Sequence, residues 1–183
     1  TITATTGNFR TSTYGTQLTN SAAIDATATA EDLTGTFDIA GLKTSTITLT
    51  ATDTAATAAA QVNSKAETTG VTASARNQVQ LDTFVAGDTY TLAVKGDNAT
   101  AANVTFNVSA NTPAGLAEAV KAFNDTSSQT GITAKLNADG DGVILTNEAG
   151  SNINLVNDSA VAGTSFEMSS YDAANADFST TAL

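Results

Sequence analysis

Asn137-Ala138-Asp139-Gly140-Asp141-Gly142, with Glu148 further on, has the spacing of a calcium loop. Oxygen ligands stand at the first, third and fifth positions, Gly at the sixth, the aliphatic Ile144 at the eighth and a Glu at the twelfth. The first ligand is Asn rather than Asp, and the flanks alternate like strands instead of reading as two helices. A hairpin turn accounts for the same residues, because Asn, Asp and Gly tolerate positive φ. The turn is the leading reading. Asn137, Asp139, Asp141 and Glu148 remain the calcium alternative, and no other metal site is read.

Other chemistry is hard to build from this chain. It has 183 residues, no His, no Cys, no Trp and one Pro. A Ser-His-Asp or Cys-His triad cannot be assembled, nor a zinc site of the His/Cys type. The scattered carboxylates, Asp25, Asp38, Asp82 and Asp88 among them, form no pair in an aromatic cleft of the kind that a glycosidase needs. Arg10, Arg76, Lys65 and Lys121 read as isolated surface charges, and Tyr14, Tyr90 and Tyr171 as core or edge aromatics. Asn98, Asn103, Asn107, Asn124 and Asn157 each begin an N-x-Ser/Thr triplet, a coincidence expected where Asn and Thr are so common. The chain is therefore read as non-enzymatic, with no catalytic residues and no cofactor.

Seven basic against 18 acidic residues give a formal charge of −11. That balance repels a nucleic-acid backbone and an anionic membrane surface, so neither is an expected partner. No apolar run reaches the roughly 18 residues of a membrane helix, and no basic-then-apolar leader opens the sequence. Thr1-Ile2-Thr3 starts in mid-strand pattern, as a piece of a longer chain would. Thr and Ala occur 35 times each, so the core must come from small residues and a few Phe, and the expected domain is folded but thinly packed.

The elements that would carry these residues repeat. A shift of 61 positions superposes Ala55 on Leu116, Ala59 on Val120, Val62 on Phe123 and Asn63 on Asn124. Without a gap, it also places Thr69-Gly70-Val71-Thr72-Ala73 on Thr130-Gly131-Ile132-Thr133-Ala134. In the first copy, Thr46 to Thr50 alternates as a strand, and Thr52 or Asp53 offers an N-cap. A helix is expected over 54–67, with Ala55, Ala59, Val62 and Ala66 inward, then Gly70 as stop and a strand from Val71 that resumes near Val79. In the second, Thr89–Val94 and Val104–Val108 form a hairpin around Lys95–Asn98. Pro113 opens a helix at its first position, with Leu116, Val120 and Phe123 on one face. Ile132–Leu136 then pairs with Val143–Leu145 across the acidic turn. The expected fold class is α+β, two β-rich repeat units each with one short helix packed on antiparallel strands. Expected bounds are 1–33 for an N-terminal connecting arm or peripheral strands, 34–85 and 86–156 for the two units, and 157–183 for a C-terminal connecting arm.

Val62-Asn63 with Thr69–Ala73, and Phe123-Asn124 with Thr130–Ala134, resemble the internal repeat in the variable central region of bacterial flagellins and some hook-associated proteins. The resemblance spans roughly residues 35–156, and the segments around Phe9–Gly15 and Asp177–Thr180 are similar to the borders where such a region joins the flagellin core. The long Gln-, Asn- and Leu-rich terminal helices that drive polymerisation are absent. The resemblance therefore implies the outer, surface-exposed and antigenic part of an extracellular flagellar filament subunit, serving motility. Its implied partners are other flagellin subunits in the full-length filament, with antibody, phage or host-surface contacts, and the isolated chain is expected to be a monomer. The alternative is a secreted adhesin or carbohydrate-binding module of repeated β-rich units.

Overall fold

A computed structural model describes residues 34–160, 163–172 and 177–179. The first strands, β1 (Gly35–Ala40) and β2 (Thr44–Leu49), form an antiparallel hairpin that sets Phe37 opposite Ile47. Along β2 the odd-numbered Ser45, Ile47 and Leu49 are the sheltered residues, and the even-numbered positions of both strands, mostly Thr, are exposed; α1 (Ala55–Asn63) follows. The N-cap of α1 is Thr54, not Thr52 or Asp53. Its hydroxyl accepts from the Thr57 N–H at 3.2 Å while the Thr57 hydroxyl accepts from the Thr54 N–H at 2.7 Å, a reciprocal box made from two threonines. Asp53 instead accepts from the Thr50 N–H at 2.8 Å and from Gln61 Nε2 at 3.2 Å. The Thr50 N–H comes first among the groups that hold its carboxyl below the usual range.

The helix expected over 54–67 is two pieces. It stops at Asn63, turns through Ser64 and Lys65, and resumes as the single turn α2 (Ala66–Thr69). The Ser64 hydroxyl donates to the Gln61 carbonyl at 2.6 Å, and a backbone that satisfies local Ser and Thr groups departs readily from a continuous ladder. Of the inward set, Val62 is buried and Ala59 and Ala66 are half-buried, but Ala55 is exposed. Gly70, at φ 71°, closes α2. The expected strand at Val71–Ala73 does not form; β3 begins only at Asn77 and ends at Asp82.

The second half is better filled. β4 (Asp88–Lys95) and β5 (Ala102–Val108) pair with Tyr90 opposite Phe106 and Leu92 opposite Val104. Pro113 lies in a turn that precedes α3 (Ala117–Asp125), not at the helix's first position. The same turn packs closely at Gly115, where a Cβ would stand 2.2 Å from the Ala110 carbonyl oxygen. A second single-turn helix, α4 (Ser127–Thr130), follows Thr126 and is closed by Gly131 at φ 70°. α1 with α2, and α3 with α4, are thus each a helix and a trailing turn rather than the one helix expected. Lys121 is not isolated either, since it pairs with Asp125 one turn on.

β6 (Ile132–Leu136) and β7 (Val143–Asn147) form the expected hairpin. β3 then joins their sheet, pairing with β7 on one side and with β9 (Glu167–Asp172) on the other, and β10 (Asp177–Ser179) completes the order β10-β9-β3-β7-β6. β8 (Asn154–Asn157) extends the other sheet to β5-β4-β8. Leu81, Phe84, Tyr90, Leu92, Phe106, Leu116, Phe123, Ile132 and Leu145 form one continuous core between these sheets and α3. Ile47 and Val62 lie outside it, under the first hairpin. Among the described residues no helix is long and apolar enough to cross a membrane.

Candidate functional site

The hairpin turn from Asn137 to Gly142 is organised around one side chain. Asn137 Oδ1 accepts from the N–H groups of Gly140, Asp141 and Gly142 at 2.8, 3.1 and 3.1 Å, and Asn137 Nδ2 donates to Asp141 Oδ1 at 2.8 Å. The oxygen that would serve as a first calcium ligand therefore faces amide protons, and one carboxylate oxygen of Asp141 faces an amide. Asp139 projects from the same turn and is exposed. Glu148 does not join them. It follows β7, whose five residues span about 16 Å, so it stands at the opposite end of the strand from the turn. Pro113 supports the turn from beneath: a Cβ on Gly140, itself at φ 77°, would stand 2.7 Å from Pro113 Cγ.

A shallow cleft of about 400 Å³ opens beside this turn, lined by Gln80, Asp82, Thr83, Asn111, Asn137, Asp139, Asp141 and Glu167. The β3–β9 register sets Asp82 directly opposite Glu167, a like-charge pair that is unfavourable by itself. Thr83 stands between them, its hydroxyl 3.1 Å from Asp82 Oδ1 and 3.1 Å from Glu167 Oε2, with Gln80 Nε2 donating to Asp82 Oδ2 at 2.8 Å. Thr83 has φ 54°, a costly conformation for a β-branched residue, and the only positive φ outside Gly among the described residues. The arrangement satisfies acids with protein donors. Among the described residues no group of three or more acids stands close enough to hold a metal ion. Spacing revealed the turn but not the cleft, since Thr83 and Glu167 are 84 positions apart and meet only through β3–β9 pairing.

Asn98, Asn107 and Asn157, each the first residue of a triplet, have structural occupations. Asn98 accepts from the Gly96 N–H at 2.7 Å and donates to the Val94 and Thr100 carbonyls, so it holds the β4–β5 turn. Asn107 Nδ2 donates to the Asp88 carbonyl at 3.1 Å, and Asn157 Nδ2 to the Thr164 carbonyl at 2.9 Å.

The most exact internal parallel lies at the helix ends. Asn63 Oδ1 accepts from the Ala73 N–H at 2.8 Å while Asn63 Nδ2 donates to the Ala73 carbonyl at 2.9 Å. Asn124 makes the same two bonds to Ala134, at 2.8 and 2.9 Å. Each amide imitates a strand partner and ties its helix to the chain ten residues on. Thr69 and Thr130, both buried, each donate to the carbonyl four residues back and accept from the N–H two residues on. Their carbonyls accept from Leu42 and Asp97 at 2.7 and 2.9 Å. Gly41 and Gly96 allow that approach, because a Cβ would lie 1.9 and 2.3 Å from the same oxygens. Comparison with curated proteins finds no match. Residues 36–88, which carry the first of these clips, match the family model described as the flagellin hook IN motif.

Proposed function

We propose that this chain is the outer, surface-exposed part of a flagellar filament subunit, built from two copies of the motif, at 34–85 and 86–156. The observation that carries the reading is the recurrence of the Asn63–Ala73 clip as Asn124–Ala134, together with the matched motif at residues 36–88. In this reading the module is structural. It presents folded sheets whose outward positions are Thr and Asn, such as Thr91, Thr105 and Asn107, and an acidic charge that discourages nonspecific adhesion. Neighbouring subunits meet it in the full-length filament, and antibodies, phage or host surfaces meet its exterior.

Antibodies raised against the 183-residue chain test this by electron microscopy of intact cells. Decoration along the whole filament is expected. Label confined to the hook or the filament tip would assign the chain to a hook-associated protein, and label on the cell body alone would favour the adhesin.

A further inference from the structure

Asp139-Gly140 and Asp141-Gly142 are the two Asp-Gly steps of this sequence, which has no Asn-Gly. Such steps are the ones most prone to isomerise, because a glycine nitrogen is poorly shielded and reaches the carboxyl carbon of the Asp before it. Attack forms a C–N bond and expels the N–H proton with the carboxyl hydroxyl as water, leaving a cyclic imide. Water reopens the imide at either carbonyl. One product is aspartate, the other isoaspartate, whose main chain runs through the former side-chain methylene. The fold cannot escape this chemistry by replacing its glycines. Gly140 is at φ 77° with its Cβ position 2.7 Å from Pro113 Cγ, and a Cβ on Gly142 would stand 2.9 Å from Asn137 Nδ2 and 3.0 Å from the Leu81 carbonyl oxygen.

We propose that Asp139 and Asp141 are isoaspartate-forming positions and that the Asn137 side chain is the guard that keeps both as aspartate. The two attacking nitrogens have their protons on one atom: Asn137 Oδ1 accepts from the Gly140 N–H at 2.8 Å and from the Gly142 N–H at 3.1 Å. A nitrogen held in this way neither gives up its proton nor turns toward the carboxyl carbon without leaving that acceptor. Both glycines are buried, so water does not take the acceptor's place. The Asn137 N–H donates to the Gly142 carbonyl at 3.0 Å, which closes the turn and sets the side chain over it. Asp141 is held a second time, through its carboxylate, by Asn137 Nδ2 at 2.8 Å. Asp139 is exposed on the wall of the cleft, and its protection lies at the Gly140 nitrogen. The Asn that stands where a calcium loop has its first ligand thus faces amide protons to a purpose. Isoaspartate at either position would lengthen the turn by one methylene and carry a buried glycine away from Oδ1.

Prolonged incubation of the 183-residue chain at mildly acidic pH tests the proposal, read by peptide mapping with fragmentation that distinguishes isoaspartate from aspartate. The native protein should keep aspartate at both positions, while the same chain held unfolded in urea should form isoaspartate at both, on the order of tenfold faster or more. Asn137→Ala should raise both rates in the folded protein by about tenfold, the equivalent of one lost hydrogen bond. Asn137→Asp keeps an acceptor for the Gly140 N–H but has no donor for the Asp141 carboxylate. Asp139 should then stay near its wild-type rate while Asp141 isomerises faster. Amide exchange in β6 and β7 under the same conditions establishes that each variant is folded. Native protein that isomerises as fast as the chain in urea overturns the proposal, whatever the variants do. A folded Asn137→Ala protein with wild-type rates overturns it too. So do equal increases at Asp139 in Asn137→Ala and Asn137→Asp, which would assign the protection to the shape of the turn and not to the Asn137 oxygen.

Discussion

Truncating Phe123 and Val62, the equivalent buried residues of α3 and α1, should cost very different amounts. Phe123 is 1% exposed, its ring 5.7 Å from that of Phe106, and it sits in the continuous core beneath two sheets. Surroundings fixed on every side cannot collapse into the space left by a lost ring. Phe123→Ala should therefore cost about 3–5 kcal/mol, out of a total of about 5–15 kcal/mol for a domain. Val62 is 9% exposed and belongs with Ile47 to the separate small cluster under β1–β2. Val62→Ala removes two carbons at about 0.8 kcal/mol each, so about 1–2 kcal/mol is expected. Urea unfolding followed by circular dichroism and by tyrosine fluorescence measures both, and exchange protection locates the damage. Val62→Ala should loosen β1, β2 and α1 while leaving α3 protected. A larger loss from Val62→Ala than from Phe123→Ala would show that the first hairpin, not the aromatic core, carries the fold.

Asn63→Ala and Asn124→Ala each remove two exposed hydrogen bonds to one peptide, so each should cost about 1–2 kcal/mol by thermal unfolding. A negligible effect at one site and a large one at the other would deny that the clips are equivalent. Calcium at millimolar concentration should raise the melting temperature no more than magnesium at equal ionic strength, because Asn137 Oδ1 is already occupied by three N–H groups. A calcium-specific rise that disappears in Asp139→Asn/Asp141→Asn would place an ion in the turn. Burial raises the Tyr90 phenol above its usual 10.0, while its hydroxyl donates to the Ser165 carbonyl and accepts from the Val85 N–H. Its contribution is complete below the unfolded value and is lost as pH rises through the folded one, so stability should fall in alkali. In a spectroscopic titration of the native protein Tyr90 should ionise above the usual phenol value; an ionisation of Tyr90 at the usual value with no loss of stability would contradict the burial argument.

What could be read in the sequence was what short-range pattern encodes. Tyr90, Leu92 and Val94 alternate against Thr89, Thr91 and Ala93, and the strand lies where that period places it. Gly70 and Gly131 end helical segments because the left-handed turn after them suits glycine. Alanine carried no such information: five of the nine residues of α1 are Ala, and a helix face made of Ala has no apolar contrast from which to tell Ala55, exposed, from Ala59, half-buried. The insertion of β3 between β7 and β9 was illegible for another reason. Asn77–Asp82 can satisfy its backbone with any strand, and its partners were decided by packing of Val79 and Leu81 against a core assembled from residues up to 90 positions away. The acidic cleft inherits that distance, because Asp82 and Glu167 meet only once β3 has been placed.

Between Gly35 and Gly70 polar residues, more than apolar ones, set the geometry. Only Ile47 and Val62 are buried hydrophobics between Gly35 and Gly70, too few to fix a helix on a hairpin by apolar contact alone. The geometry is set instead by groups that tolerate few replacements. Thr54 and Thr57 start α1, Asn63 fastens its end to Ala73, Thr69 turns the chain, Gly70 takes φ 71°, and Gly41 lets the hairpin reach the Thr69 carbonyl. A directional hydrogen bond fails when its residue changes, whereas apolar contacts accept swaps of similar volume. Around α3 and α4 the corresponding polar groups, Asn124, Thr130, Gly131 and Gly96, surround a core of Phe123, Leu116 and Ile132. The apolar filling differs in size around the two helices while the two clips agree to within a tenth of an ångström, so the clips, more than the core, are what the two helix ends have in common.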